Sequence, residues 1–106
     1  MGKKGSDKHK ADHNAIYQSH GTSRFAPTVA TYIDEYGLPD DWSTLSLLLD
    51  YHDSSVVRHV IDALKGQYET KNAVEKQGFR SKLEILAMTT RDEDFKEFVE
   101  GVLVDL

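Results

Sequence analysis

Residues 53–64 read DSSVVRHVIDAL, and residues 92–103, about 39 positions further on, read DEDFKEFVEGVL. Counted from the aspartate that opens each stretch, small or apolar residues lie 3, 7, 10 and 11 positions along in both of them. This spacing is that of one face of an α-helix, and an aspartate just before it is a favourable N-cap. A repeat of this period predicts pairs of helices that stack on one another.

The remaining helices follow from the same spacing and from residues that begin and end helices. Pro27 suits a first helical turn, and Gly37 suits the position after a last turn. Asp41 or Ser43 is able to cap the next helix. Residues 66–78 are polar and rich in helix formers. We expect them to extend the preceding helix, with a break before or at Gly78, although the sequence also allows a loop. The predicted helices cover about 27–36, about 42–51, the cap at 53–55 to at least 65, 79 to about 88, and a last helix that follows the turn at 89–92 and runs almost to 106. No stretch gives a convincing strand.

The composition indicates one globular domain preceded by an arm. The chain has 106 residues, the size of a single domain, and 39% of them are apolar. Apart from Met1, the first 22 residues contain only Ile16 and Tyr17 as large apolar side chains. So few apolar groups do not offset the entropy that a segment loses when it becomes ordered. We therefore expect a mostly disordered basic arm at 1–22 and a single all-α domain at 23–106.

Two predicted helix pairs share a longer set of positions. In the first pair, the first helix has Leu45, Leu48 and Leu49, and the turn and second helix have Asp53, Val56, Val60, Ala63 and Leu64. In the second pair, the first helix has Leu83, Leu86 and Ala87, and the turn and second helix have Asp92, Phe95, Lys96, Val99, Val102 and Leu103. With these residues, the pairs at 42–65 and 79–105 resemble HEAT repeats, two-helix units of about 40 residues that stack into a solenoid. The position at which the family usually has arginine holds Val57 in the first copy and Lys96 in the second.

The resemblance implies an all-α fold of about five helices. The two HEAT-like hairpins would stack, with the helix at 27–36 as an N-terminal capping helix. At least three repeats are normally needed for a stable array. The helix at 27–36 must then act as a cap or half-repeat, or the domain must oligomerise. A compact five-helix bundle is the alternative fold.

The resemblance also implies a function, because the second helices of HEAT repeats line a concave face that binds other proteins. The residues on that face would be Arg58, His59, Asp62 and Lys65 in the first copy, and Lys96, Glu97 and Glu100 in the second. Trp42 is a further candidate, since tryptophan is enriched at the centres of interfaces. The alternative for Trp42 is a hydrophobic staple at a helix start. We predict a small non-catalytic module that binds another protein.

Charge is distributed unevenly along the chain, whose net charge is −5. Residues 1–26 contain five basic and two acidic side chains, whereas residues 27–106 contain eight basic and 16 acidic ones. The acidic part lacks the clustered lysine and arginine that binding to a nucleic-acid backbone requires. The alternative function is therefore confined to the arm, where Lys3, Lys4, Lys8 and Lys10 would bind nucleic acid or another anionic surface.

The sequence contains few of the patterns that catalysis or metal binding requires. It has no cysteine, which excludes thiolate chemistry and is compatible with the cytoplasmic location that we expect. No apolar run approaches the ~20 residues that span a bilayer. Three histidines between residues 9 and 20 lie in the segment expected to be disordered, so no metal site is expected there. His52 and His59 have no nucleophile or converging carboxylate pair beside them, so neither catalysis nor a cofactor is expected.

Overall fold

The computed structural model describes the backbone of residues 2–106 and the side chains of residues 7–106. Within this range the chain is helical and has no strand, which confirms the all-α prediction, with six α-helices instead of about five. The helices are α1 (Gly2–Ser19), α2 (Phe25–Tyr36), α3 (Trp42–Leu48), α4 (Ser54–Gln67), α5 (Ala73–Thr89) and α6 (Glu93–Asp105), with a 3₁₀ turn at Tyr68–Thr70. The additional helix is α1, in the segment for which the composition predicted disorder.

The helices fall into two compact units. The first extends to Asp53 and contains α1 to α3, and the second is Ser54–Leu106 and contains α4 to α6. This division differs from the expected single domain at 23–106. It also places α3 and α4, which correspond to the first helix pair predicted from the sequence, in different units, whereas α5 and α6 belong to the same one.

The first unit is ordered around α1 by polar as well as apolar contacts. Ile16 is fully buried, but α1 contributes no other large apolar residue to the core. His9 Nε2 lies 2.8 Å from the hydroxyl of Tyr32 on α2, and His13 Nε2 lies 2.7 Å from that of Thr44 on α3. A count of apolar residues missed this segment because hydrogen bonds supply much of its docking.

The other two helices of the first unit begin and end close to the predicted positions. Gly37 follows α2 with a positive φ of 78°, and its N–H donates to the carbonyl of Ile33 at 2.8 Å. The side chain of Asp41 caps α3 by accepting from the backbone N–H of Thr44. Helix α3 ends at Leu48, earlier than the predicted residue 51, because the N–H groups of residues 49–51 donate to carbonyls three residues back, not four, which turns the chain out of the α-helix.

In the second unit the two related stretches bury similar but not identical faces. The repeat aligned Val56, Val60, Ala63 and Leu64 with Phe95, Val99, Val102 and Leu103. On α6 the first three of these positions are buried, whereas on α4 the buried residues are Val57, Val60, Ile61 and Leu64. Val60 and Leu64 are thus buried as predicted, whereas Val57 and Ile61 are buried in place of Val56 and Ala63.

Helix α5 begins earlier than the sequence indicated. Asn72 accepts at 2.8 Å from the backbone N–H of Glu75, whose carboxylate accepts from the N–H of Asn72 at 3.3 Å. This reciprocal capping box fixes the start of the helix at Ala73. Gly78 lies inside the helix and does not break it, so residues 66–78 contain the end of α4, a 3₁₀ turn and the first part of α5.

Candidate functional site

A shallow groove lies between α4 and α6 within the second unit. Its volume is about 610 Å³, and its lining consists of Asp62 and Lys65 from α4 and of Glu97, Phe98, Gly101, Val102, Val104 and Asp105 from α6. Residues three or four positions apart share one face of a helix, which explains how each helix contributes its set. The groove is thus formed by one face of each helix.

The groove has an apolar floor. Val102 is buried, Phe98 is half-buried and Gly101 contributes no side chain, so the surface of α6 is low at its centre. The guanidinium carbon of Arg58 lies 5.0 Å from the centroid of the Phe98 ring, a cation–π contact between α4 and α6. Val104 is 86% exposed and adds apolar surface at the edge. This apolar surface is therefore accessible to a ligand without any unfolding of α4 or α6.

The charged residues that line the groove are mainly acidic: three carboxylates and one ammonium group give a net charge of −2. Lys65 Nζ lies 3.1 Å from Asp105 Oδ2, an exposed ion pair that adds at most about 1 kcal/mol to stability. Asp62 and Glu97 take part in no ion pair or hydrogen bond among the described residues. Since Asp105 already neutralises Lys65, the groove presents the charge of these two carboxylates to a ligand.

Three of the candidate residues from the sequence, Asp62, Lys65 and Glu97, line this groove. Arg58 does not form the helical pair with Asp62 that their spacing allows and instead covers Phe98. The remaining candidates on these two helices are not part of the lining: His59 and Glu100 are exposed, and Lys96 is half-buried.

Trp42 lies in the first unit and is not part of the groove. It is the first residue of α3, directly after the capping residue Asp41, and it is half-buried. Its carbonyl accepts a hydrogen bond of 2.8 Å from the hydroxyl of Ser46.

The lysines of the proposed anion-binding arm differ in their surroundings. The side chains of Lys3 and Lys4 lie outside the described residues. Lys8 Nζ contacts Asp12 Oδ2 at 2.8 Å and Glu35 Oε2 at 2.6 Å, and these hydrogen bonds raise its pKa. Lys10 lines a hollow of about 420 Å³ on α1. Two carboxylates thus occupy the ammonium group of Lys8, which makes it a poor ligand for an external anion.

The histidines of α1 bind other helices of the first unit. His9 stacks on Tyr36 with ring centroids 4.3 Å apart, and His20 Nε2 lies 2.7 Å from Asp50 Oδ2. His13 Nε2 is also 3.1 Å from Asp41 Oδ1. Among the residues that the structure describes, no group of three or more histidines and carboxylates converges as metal ligands would.

Several groove residues were missed by the sequence reasoning. No pattern in the sequence singled out Phe98, Gly101 or Asp105 as part of a site. The mid-helix glycine was the available signal, because glycine in a helix interior is unfavourable unless its small size serves a purpose.

Comparison with other proteins adds no relative: neither protein-family models nor curated proteins nor solved structures give a match to this chain. In residues 2–106, no helix has the length and hydropathy needed to cross a bilayer.

Proposed function

We propose that the protein is a small non-catalytic interaction module of HEAT-like helical hairpins, and that the α4–α6 groove binds a segment of another protein. The observation that carries the proposal is the convergence of Asp62, Lys65 and Glu97 on one groove with an apolar floor. Apolar grooves between helices bind peptide segments by accepting an apolar side-chain row and pairing with the charges beside it.

The arrangement of the groove supports the HEAT-like part of the proposal. Helices α4 and α6 correspond to the second helices of the two sequence copies, and second helices form the binding face in the family that the sequence resembles. Helix α5, the first helix of the second copy, packs mainly against α6 within the same unit.

The charges of the groove select the kind of segment that binds. Asp62 and Glu97 have no cationic partner within the described residues, so a ligand that brings lysine or arginine gains favourable interactions with both. Phe98 and Val102 favour apolar side chains on the same segment. The occupant that fits is therefore a basic, amphipathic helical segment, and an acidic segment of equal hydrophobicity is repelled.

Two synthetic helical peptides test the proposal. They share one leucine face, and their polar faces carry only lysine in one peptide and only glutamate in the other. We expect the lysine peptide to bind more tightly than the glutamate peptide, and its affinity to fall with rising salt because the contacts are exposed to solvent. Fluorescence anisotropy of labelled peptides measures both affinities.

Charge reversal within α6 gives the matched control. The double variant Asp62→Lys/Glu97→Lys should weaken binding of the lysine peptide by about tenfold or more. The double variant Glu93→Lys/Glu100→Lys makes the same change in net charge at two exposed residues of α6 outside the lining, and it should leave the affinity within about twofold of the wild-type value. Equal losses in both variants would mean that net charge, and not the groove, governs binding.

A further inference from the structure

Two histidines of α1 lie side by side at one hollow. His9 and His13 are four residues apart, so their side chains share one face of the helix. Together with Lys10 and Asn14 they line a hollow of about 420 Å³. Paired imidazoles at this spacing are a recurrent way for a helix to bind a divalent transition metal. Disorder was the reason to expect no metal here, and it does not apply, because residues 9–14 lie within α1.

Hydrogen bonds fix which ring nitrogen of His13 carries a proton. Asp41 is ionised at neutral pH, and its carboxylate accepts the one proton of the Thr44 hydroxyl at 2.6 Å. The hydroxyl oxygen then has only lone pairs for His13 Nε2, which lies 2.7 Å away, and Asp41 Oδ1 lies 3.1 Å from the same nitrogen. His13 therefore has its proton on Nε2, which leaves the lone pair of the neutral ring on Nδ1.

His9 is held in a similar way by α2. Its Nε2 lies 2.8 Å from the hydroxyl of Tyr32, and its ring stacks on Tyr36 with centroids 4.3 Å apart. A tyrosine hydroxyl accepts as well as donates, so His9 is able to carry its proton on Nε2. Each imidazole thus contacts a neighbouring helix through Nε2, and Nδ1 is the nitrogen that remains for a ligand.

The partners of the two rings are of the kind that metal-binding histidines have. A ligating imidazole almost always donates its other N–H to an oxygen, most often that of a carboxylate, a backbone carbonyl or water. This bond fixes the orientation of the ring and makes the other nitrogen a stronger electron donor. Asp41 and Thr44 accept in this way from His13, and Tyr32 is able to do so for His9.

We propose that the hollow binds one divalent transition-metal ion through Nδ1 of His9 and Nδ1 of His13, with the carboxamide oxygen of Asn14 as the third ligand. The side chain of Asn14 is exposed and takes part in no hydrogen bond among the described residues. These residues bring no third histidine or carboxylate to the hollow, so water completes the coordination shell. Imidazole and oxygen ligands of this kind suit zinc, and the small number of protein ligands makes binding reversible.

Among the described lining residues, only Lys10 opposes a cation. Its side chain is exposed and long enough to turn the ammonium group towards solvent. An anion is the alternative ligand for this ammonium group, but the imidazoles offer lone pairs at Nδ1 and not protons. Lys10→Gln distinguishes the two ligands, because it should tighten zinc binding by about twofold or more and would weaken the binding of an anion.

Calorimetric titration of the full-length chain with zinc chloride tests the proposal. We expect one zinc ion per chain at a pH of about 7.5, where histidine is neutral. His9→Gln and His13→Gln should each reduce the affinity by at least about tenfold, since each removes one of two nitrogen ligands. The matched control is His59→Gln, at an exposed histidine of α4 outside the hollow, and it should leave the affinity unchanged. Circular dichroism of each variant checks that the helices persist.

NMR of the histidine rings gives a second readout that needs no variant. In the unmodified protein labelled with ¹⁵N, zinc should shift the Nδ1 signals of His9 and His13, while their Nε2 protons remain. Loss of those protons would mean that the metal binds Nε2 and displaces α1, which would overturn the proposal. Zinc binding that survives both histidine variants, or that weakens in Lys10→Gln, would overturn it as well. Neither readout involves the α4–α6 groove, so the test is independent of peptide binding.

Discussion

Gly101 shows how a single residue shapes the groove. It lies in the middle of α6 with an ordinary helical backbone, and a Cβ there would meet no atom within 4 Å. The glycine is therefore not required for folding, and it costs stability because it keeps more freedom in the unfolded chain. What it provides is the low surface between Phe98 and Val102.

We expect Gly101→Ala to raise the free energy of unfolding by about 0.5–1 kcal/mol, since alanine favours the helix and meets no neighbour. Urea denaturation followed by circular dichroism measures the change. The matched control is Gly21→Ala, where φ is +85° and a side chain is strained, so that variant should lose stability. A loss of stability in Gly101→Ala would show that this position is not an open helix interior.

Asp41 combines a helix cap with a side-chain network. Burial alone would raise the pKa of Asp41, but hydrogen bonds from Thr44 and His13 outweigh it and hold the pKa below its ordinary value. The pKa of Asp12 is also lowered, by its hydrogen bonds with Lys8 and Tyr36. A carboxyl whose pKa is lower in the folded state stabilises that state above its unfolded pKa, and the contribution disappears as pH falls through the folded value.

We therefore expect the first unit to lose stability as the pH falls below about 4, near the ordinary pKa of aspartate. Asp41→Asn keeps an effective cap but removes the titration, so stability in this variant should depend less on pH between about 5 and 3. Urea midpoints of both proteins across that range measure the difference. Curves with the same pH dependence would show that Asp41 contributes no such linkage.

At the scale of elements, α1 is where sequence and structure differ most. The spacing of apolar residues predicted α2, α4 and α6 nearly correctly, because each of them buries a continuous apolar face. Helix α1 buries one large apolar residue, Ile16, and otherwise relies on His9, His13 and Lys8 reaching other helices. Partners that lie more than 20 residues away in sequence cannot be identified from composition.

The order of α1 should depend strongly on its buried isoleucine. We expect Ile16→Ala to destabilise the first unit by about 2–4 kcal/mol, because the residue is fully buried and leaves a cavity. The control is Gln18, an exposed residue of the same helix. Gln18→Ala should change the free energy of unfolding by less than about 0.5 kcal/mol. Hydrogen exchange of the amides of residues 7–19 reports the effect. Rapid exchange of these amides in the unmodified protein would support the disordered arm that the composition predicted.

At the scale of the whole molecule, the sequence predicted the helical class but not the grouping of the helices. The 39-residue repeat suggested paired helices at 42–65 and 79–105, yet the boundary between the units falls at residue 53. Asp62 and Glu97 lie on α4 and α6, the two helices whose apolar positions make up the repeat. The repeat could not predict that Phe98 and Gly101 would form the floor, because that depends on how α4 and α6 pack.

The central claim is that the α4–α6 groove is the binding site for a basic amphipathic segment. Titration of ¹⁵N-labelled protein with the lysine peptide, followed by NMR chemical shifts, tests it most directly. We expect the largest shifts at the amides of Asp62, Lys65, Phe98 and Gly101, and much smaller shifts with the glutamate peptide. The largest shifts on α1, or equal shifts from both peptides, would contradict the claim.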